Sequence, residues 1–216
     1  MVAGILGAPG MQAALAGKLL LSICAGVSAE ALQTALYGDV SGLDPRSTGR
    51  CRMVRVMPNT AAGIRQSMTV IATSTPPLED DIMELVQFLF GCIGEVVVLP
   101  PSLMDASTAL CGSGPAFFLL LLEAAIDGGV AMGLPRAEAT KMAAQTMKGA
   151  CMTVLEGSHP AALKDKVTTP GGCTMGGLMV LEEGAVRGTV AKAVRVATVV
   201  ASRLGEGAKN VNGPSA

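Results

Sequence analysis

Pro100-Pro101 divides the chain into two kinds of sequence. Before it, short apolar runs alternate with helical patterns. After it, every periodic stretch reads as helix. Strands alternating with helices imply an α/β layer, and a purely helical run implies a second, all-α layer. The 216 residues suffice for one large or two small domains. Four strands are expected before the divide, at Leu19–Cys24, Met53–Met57, Met68–Ala72 and Val96–Leu99. Leu19–Cys24 is a short apolar run between Lys18 and Ala25-Gly26, which suits a buried parallel strand. Ser28 is the expected N-cap of a helix over Ser28–Leu36, and Gly38–Gly49 is a polar loop. Asp80, Asp81 and Glu84 load the first turns of another helix, whose expected apolar stripe is Leu78, Ile82, Leu85 and Leu89.

After the divide, Pro115 takes a favoured first-turn position in a helix over Pro115–Met132, stopped by Gly133-Leu134-Pro135. Pro135 then opens a helix to Glu156 with Ala139, Met142, Ala143, Met147, Ala150 and Val154 on its apolar face. Pro160–Val167 is a short helix. The last helix, Ala185–Leu204, repeats Val186, Val190, Ala193, Val194, Ala197, Ala201 and Leu204 at helical spacing. Asn210–Ala216 is expected to be a disordered tail.

Aromatic residues make up 2% of the chain, with one Tyr and no Trp, so the core must be built from Ala, Val, Leu and Met. The net charge of −1 gives no electrostatic basis for binding nucleic acid. Six scattered cysteines with no C-x-x-C pair argue against a metal site or a disulfide framework, and for reduced thiols in the cytoplasm. Ser107–Leu122 is uncharged, but it falls short of a membrane span and is interrupted at Gly112-Ser113-Gly114-Pro115. No positive n-region precedes the first apolar stretch, so no signal peptide is expected. The helices carry more apolar surface than a lone helical domain would hide, which predicts a homodimer.

Two glycine strings invite a functional reading. Gly4-Ile5-Leu6-Gly7-Ala8-Pro9-Gly10-Met11 is tempting as a dinucleotide loop. Too few residues precede it for a strand, and Pro9 lacks a backbone N–H where one would be wanted, so that reading fails. The second string, Thr168-Thr169-Pro170-Gly171-Gly172-Cys173-Thr174, lies between two helices. The proline ends the first helix, the glycines let a ligand approach the main chain, and Thr174 is the expected N-cap of the next helix. Such a loop is either a plain connector or a seat for a small anion such as a carboxylate or phosphate.

His159-Pro160-x-x-Leu163-Lys164-Asp165-x-Val167-Thr168-Thr169-Pro170-Gly171-Gly172-x-Thr174 resembles the signature of the pyrroline-5-carboxylate reductase family. That family reduces 1-pyrroline-5-carboxylate to L-proline with NADPH or NADH. Ser22–Ser28 and Val54–Thr60 are similar to strings from the later part of its Rossmann-type domain, and Gly112–Pro115 to its domain-joining segment. The resemblance implies a partial Rossmann-type α/β domain over 1–100 and a helical dimerisation and substrate domain over 101–209. It further implies an N-terminally truncated member, because both strings lie far downstream of the family's phosphate loop.

Thr169, Gly171, Gly172, Cys173 and Thr174 would then bind the carboxylate of a cyclic imino acid. Cys173 stands where the family usually has a small residue such as Ala. Ala25, Gly26, Met57, Pro58 and Asn59 would line the nicotinamide side, or else be ordinary strand-end turns. Leu120 stands where some members carry a hydroxyl. His159, the single histidine, is expected to cap a helix, and Lys164 and Asp165 to be loop or interface residues. No catalytic side chain and no metal ligand is assigned. A non-catalytic, truncated relative that only dimerises is the alternative.

Overall fold

The computed structural model describes residues 2–38, 49–74 and 76–205. The central part of the Gly38–Gly49 loop and the expected tail Asn210–Ala216 lie outside the described residues. Two compact units emerge. One holds the chain up to Pro115 and again from Val194, and the other is Ala116–Ala193.

The first unit opens with two short helices, α1 (Val2–Leu6) and α2 (Met11–Leu15). Strand β1 (Leu19–Ser22) follows, then α3 (Ala29–Tyr37) and β2 (Arg52–Met57). A 3-10 turn over Thr60–Ile64 leads to β3 (Ser67–Ala72), then α4 (Asp80–Gly91) and β4 (Gly94–Leu99). The sheet order is β1-β2-β3-β4. β1 and β2 are parallel, as are β3 and β4, each pair joined through a helix. β2 and β3 are antiparallel, so the sheet is mixed. The short link Pro58–Gln66 explains this, since a parallel crossover needs a dozen or more residues.

Ser28 caps α3 as expected, its hydroxyl accepting from Ala31 N–H at 3.0 Å. β1 stops at Ser22, two residues short of the expected Cys24. The stripe expected on α4 is corrected in part, since Leu78 does pack on the sheet core. Val86 is fully buried, with Met83 and Phe90 beside it, while Leu85 and Leu89 are exposed. Beyond its acidic first turns, Leu85, Val86, Phe88, Leu89 and Phe90 are all apolar, so spacing alone could not choose the face. The buried core of the sheet is Val54, Val56 and Ile71 with Val86. A second cluster packs Leu32 and Leu36 of α3 on Cys51 and Met53.

After β4, a 3-10 turn (Pro101–Leu103), α5 (Met104–Ser107) and a π-turn (Thr108–Gly112) lead into α6 (Gly114–Ala131). The helical run is therefore Pro101–Ala131, longer than the stretch anticipated, and by length and composition it could cross a membrane. It is interrupted at Ser113 and carries Asp105, Glu123 and Asp127.

The second unit comprises most of α6, then α7 (Arg136–Leu155), α8 (Pro160–Lys166), α9 (Cys173–Glu183) and the start of α10 (Val186–Gly205). α6 ends as expected at Gly133, whose φ is +98°. Leu134 N–H donates to Gly129 O at 3.1 Å and Gly133 N–H to Val130 O at 2.9 Å, a Schellman closure. α10 starts one residue later than expected, because Ala185 adopts a left-handed φ of 51°. On α7 only Ala139 of the expected apolar face is buried, and Met142 is 55% exposed.

The far end of α10 returns to the first unit. A Cβ on Gly26 would lie 2.6 Å from Ala201 O and 2.7 Å from Gly205 N, and Gly26 itself has φ +71°. Only glycine allows the turn after β1 to meet the last turn of α10 this closely.

Candidate functional site

The loop between α8 and α9 is built from its ends inward. His159 precedes α8, and its Nδ1 accepts from Ala161 N–H at 3.2 Å, which is the expected capping role. α8 closes tightly. The Thr168 hydroxyl donates to Lys164 O at 2.7 Å, and its N–H donates to Asp165 O at 3.1 Å. Lys164 and Asp165 pair with one another at 3.3 Å on the surface.

Gly171 then takes a left-handed φ of 68°, and Gly172 N–H donates to Thr169 O at 3.0 Å. The start of α9 differs from expectation. Gly172, extended at φ −76° and ψ 161°, is the N-cap, and Thr174 sits inside the first turn without a capping bond. A threonine near a helix start suggests a cap, yet the turn that places Gly172 against Thr169 begins the helix two residues earlier. Gly172 is also held to its size, since a Cβ there would run into the Thr169 hydroxyl.

The consequence is a division of labour among the loop's amides. Gly172 N–H is spent inside the loop, as are those of Met175 and Gly176, which donate to Gly172 O. The N–H groups of Cys173 and Thr174 have no acceptor among the described residues. They sit at the positive end of an 11-residue helix, beside the Thr169 hydroxyl. Two unspent amides and a hydroxyl at a helix N-terminus suit a carboxylate.

The cofactor-side candidates lie in the other unit. Because β1 and β2 are parallel neighbours, the turns Ala25-Gly26 and Pro58-Asn59 follow adjacent strand ends of the same sense. That is where an open α/β sheet receives a ligand. Their side chains offer little to one. Gly26 is covered by the end of α10, and Met57 is buried. Asn59 is spent within the fold. Its N–H donates to Ser67 Oγ at 2.9 Å, its Oδ1 accepts from Ala61 N–H at 3.0 Å, and its Nδ2 donates to Cys111 O at 3.1 Å. Main chain at these strand ends, rather than side chains, is what remains to meet a ligand. Gly4–Gly10 lies in α1 and a turn, so it does not form a strand–loop–helix cradle for a pyrophosphate. Burial pushes the thiol of Cys111, within the π-turn, above its usual pKa.

Residues 101–204 match the family described as pyrroline-5-carboxylate reductase dimerisation. The chain is 60% identical to a pyrroline-5-carboxylate reductase of Neurospora crassa over 224 residues, covering 99% of this chain and 67% of that protein. It belongs to the pyrroline-5-carboxylate reductase family. A reductase of Lophium arboricola is 68% identical over 213 residues, again 99% of this chain and 66% of its own length. The chain thus spans about two thirds of these curated relatives. Among solved structures, the Plasmodium falciparum pyrroline carboxylate reductase with NADP bound superposes with a TM-score of 0.81 at 29% identity. That match covers 94% of this chain and 77% of the other. The fold of this reductase-family chain is therefore a Rossmann-like α/β domain followed by a helical one.

Proposed function

We propose that the chain reduces 1-pyrroline-5-carboxylate to L-proline with NADPH or NADH. In this reading 1–100 is the later part of a Rossmann-type cofactor domain and 101–209 the helical substrate and dimerisation domain. The cofactor supplies a hydride to the iminium carbon, so the protein's task is placement. The Cys173 and Thr174 amides, with the Thr169 hydroxyl, hold the substrate carboxylate. Gly171 and Gly172 give the loop its shape. The main chain at Ala25-Gly26 and Met57-Pro58-Asn59 faces the nicotinamide.

The observation that carries this reading is the pair of unspent amides at the start of α9. Amide resonances of a nitrogen-15-labelled chain, titrated with L-proline and then with pyrrolidine, test it. Cys173 and Thr174 should shift with L-proline and not with pyrrolidine, which lacks the carboxylate. Equal responses to both ligands would sink the assignment.

A second copy of the chain is the partner in this reading. Phe118, Leu119 and Leu120 on α6, Met142, Met152 and Leu155 on α7, and Met179, Val180 and Leu181 on α9 are all exposed in a single chain. An open groove of about 570 Å³ runs past Leu119, Leu120, Leu122, Ile126 and Thr140. A homodimer in the cytoplasm, with neither membrane nor nucleic acid as partner, covers these faces with one another. Sedimentation without detergent tests it, and a chain that is soluble only in detergent would favour a membrane instead.

The reading of a dimerising module without catalysis also has an observation behind it, the short helix and turn formed by Gly4–Gly10 in place of a strand–loop–helix cradle. Fluorescence titration with NADPH separates the two. Saturable binding supports the reductase, and dimerisation without it supports the module.

A further inference from the structure

The carbonyl of Cys111 is placed in difficulty by the sequence itself. In a regular helix it would accept from the N–H four residues on, but that residue is Pro115, which has none. The proline ring also crowds a carbonyl at that position. The chain relieves both by widening into the π-turn Thr108–Gly112, closed by Ser113 N–H donating to Thr108 O at 2.9 Å. The freed Cys111 carbonyl is taken by Asn59 Nδ2 at 3.1 Å, from 52 residues upstream.

Asn59 is itself well anchored. Its N–H donates to Ser67 Oγ, which lies 3.3 Å from Thr69 Oγ1, and both Ser67 and Thr69 are buried. Strand β2, which ends two residues before Asn59, makes a second link, because buried Arg55 reaches Asp105 at 3.7 Å. Packing agrees, since a Cβ on Gly112 would approach Met57 Sδ at 3.3 Å. The end of β2 and the π-turn are held as one piece.

We propose that Asn59 is a positioning residue. It consumes the carbonyl that Pro115 strands, and so fixes the Met57-Pro58-Asn59 main chain at the height where the nicotinamide is received. The positioning part rests on the reductase reading. The clamp between Asn59, Cys111 and Pro115 does not.

The test is a double-mutant cycle in the full protein with Asn59→Asp and Pro115→Ala. Asp keeps the acceptor for Ala61 N–H but sets a carboxylate oxygen against the Cys111 carbonyl. Ala at 115 supplies the missing N–H and removes the ring. Asn59→Asp should lower the melting temperature, and at least half of that loss should vanish in the Pro115→Ala background. Losses that simply add would overturn the clamp. Asn59→Asp should also raise the KM for NADPH about tenfold, with kcat changed less than about twofold. Coupled melting with unchanged NADPH affinity would overturn the positioning role. A wild-type protein that binds NADPH yet turns nothing over would sink the proposed reaction, and the dissociation constants of the variants would then decide the role of Asn59.

Discussion

The two units bury their apolar residues very differently. In the sheet unit Val54, Val56, Val70, Ile71 and Val86 are at most 1% exposed. In Ala116–Ala193, Ile126 and Ala139 are the buried apolar residues, while Leu120 is 66% and Val180 66% exposed. The first unit closes a core from its own residues. The second closes none, and its helices leave most of their large apolar residues exposed. Composition hid this difference, because both parts are rich in Val, Leu, Ala and Met.

The contrast can be broken from either side. Ile71→Ala removes a fully buried side chain and should cost about 2–5 kcal/mol by denaturant unfolding, with the loss confined to the sheet. Leu120→Asp should leave the sheet intact but weaken self-association roughly a hundredfold in sedimentation equilibrium, since a charge enters an apolar contact in both copies. If Leu120→Asp left the association state unchanged, the exposed face of α6 would not be the contact. Ala185→Gly sharpens the picture within the helical unit. Ala185 carries a left-handed φ of 51°, so glycine there should stabilise by about 0.5–1 kcal/mol in thermal melts.

The smallest effect concerns pH. The Arg187 hydrogen bond, aided by the Arg187 charge, holds the Glu182 carboxyl below its ordinary 4.5. The contribution of this pair is complete above pH 4.5 and is lost as the pH falls through the lower, folded value. The two groups are fully exposed, so the effect is small and screened by salt. The melting-temperature difference between wild type and Glu182→Gln should shrink from pH 7 toward pH 3. A difference that grew in acid would reverse the sign of this linkage.

Local signals in the sequence carried most of the fold. Ser28 caps α3 from three residues away, His159 caps α8 from two, and Gly133 closes α6 through its own backbone angle. Each depends on neighbours in the chain, so each was legible. The apolar stripe of α4 was not, because Leu85, Val86, Phe88 and Leu89 are all apolar and only the sheet chooses among them. The antiparallel β2–β3 pair was within reach, since Pro58–Gln66 is too short for a crossover. At the candidate site, the loop was found by its glycines, but the cap fell on Gly172 through a bond to Thr169 that spacing does not reveal. The bond from the Asn59 side chain was not legible, because its partner, the Cys111 carbonyl, lies far along the chain. Pro115, four residues past Cys111, was the available hint.

The close crossing of Gly26 and Gly205 has a consequence for how the protein is made. The turn after the first strand of the sheet meets a helix that emerges from the ribosome only after all the other described elements. A nascent chain can lay down its strands early, yet this corner stays open until synthesis has passed residue 205. Factors that shield unfinished chains therefore have their longest window on this corner.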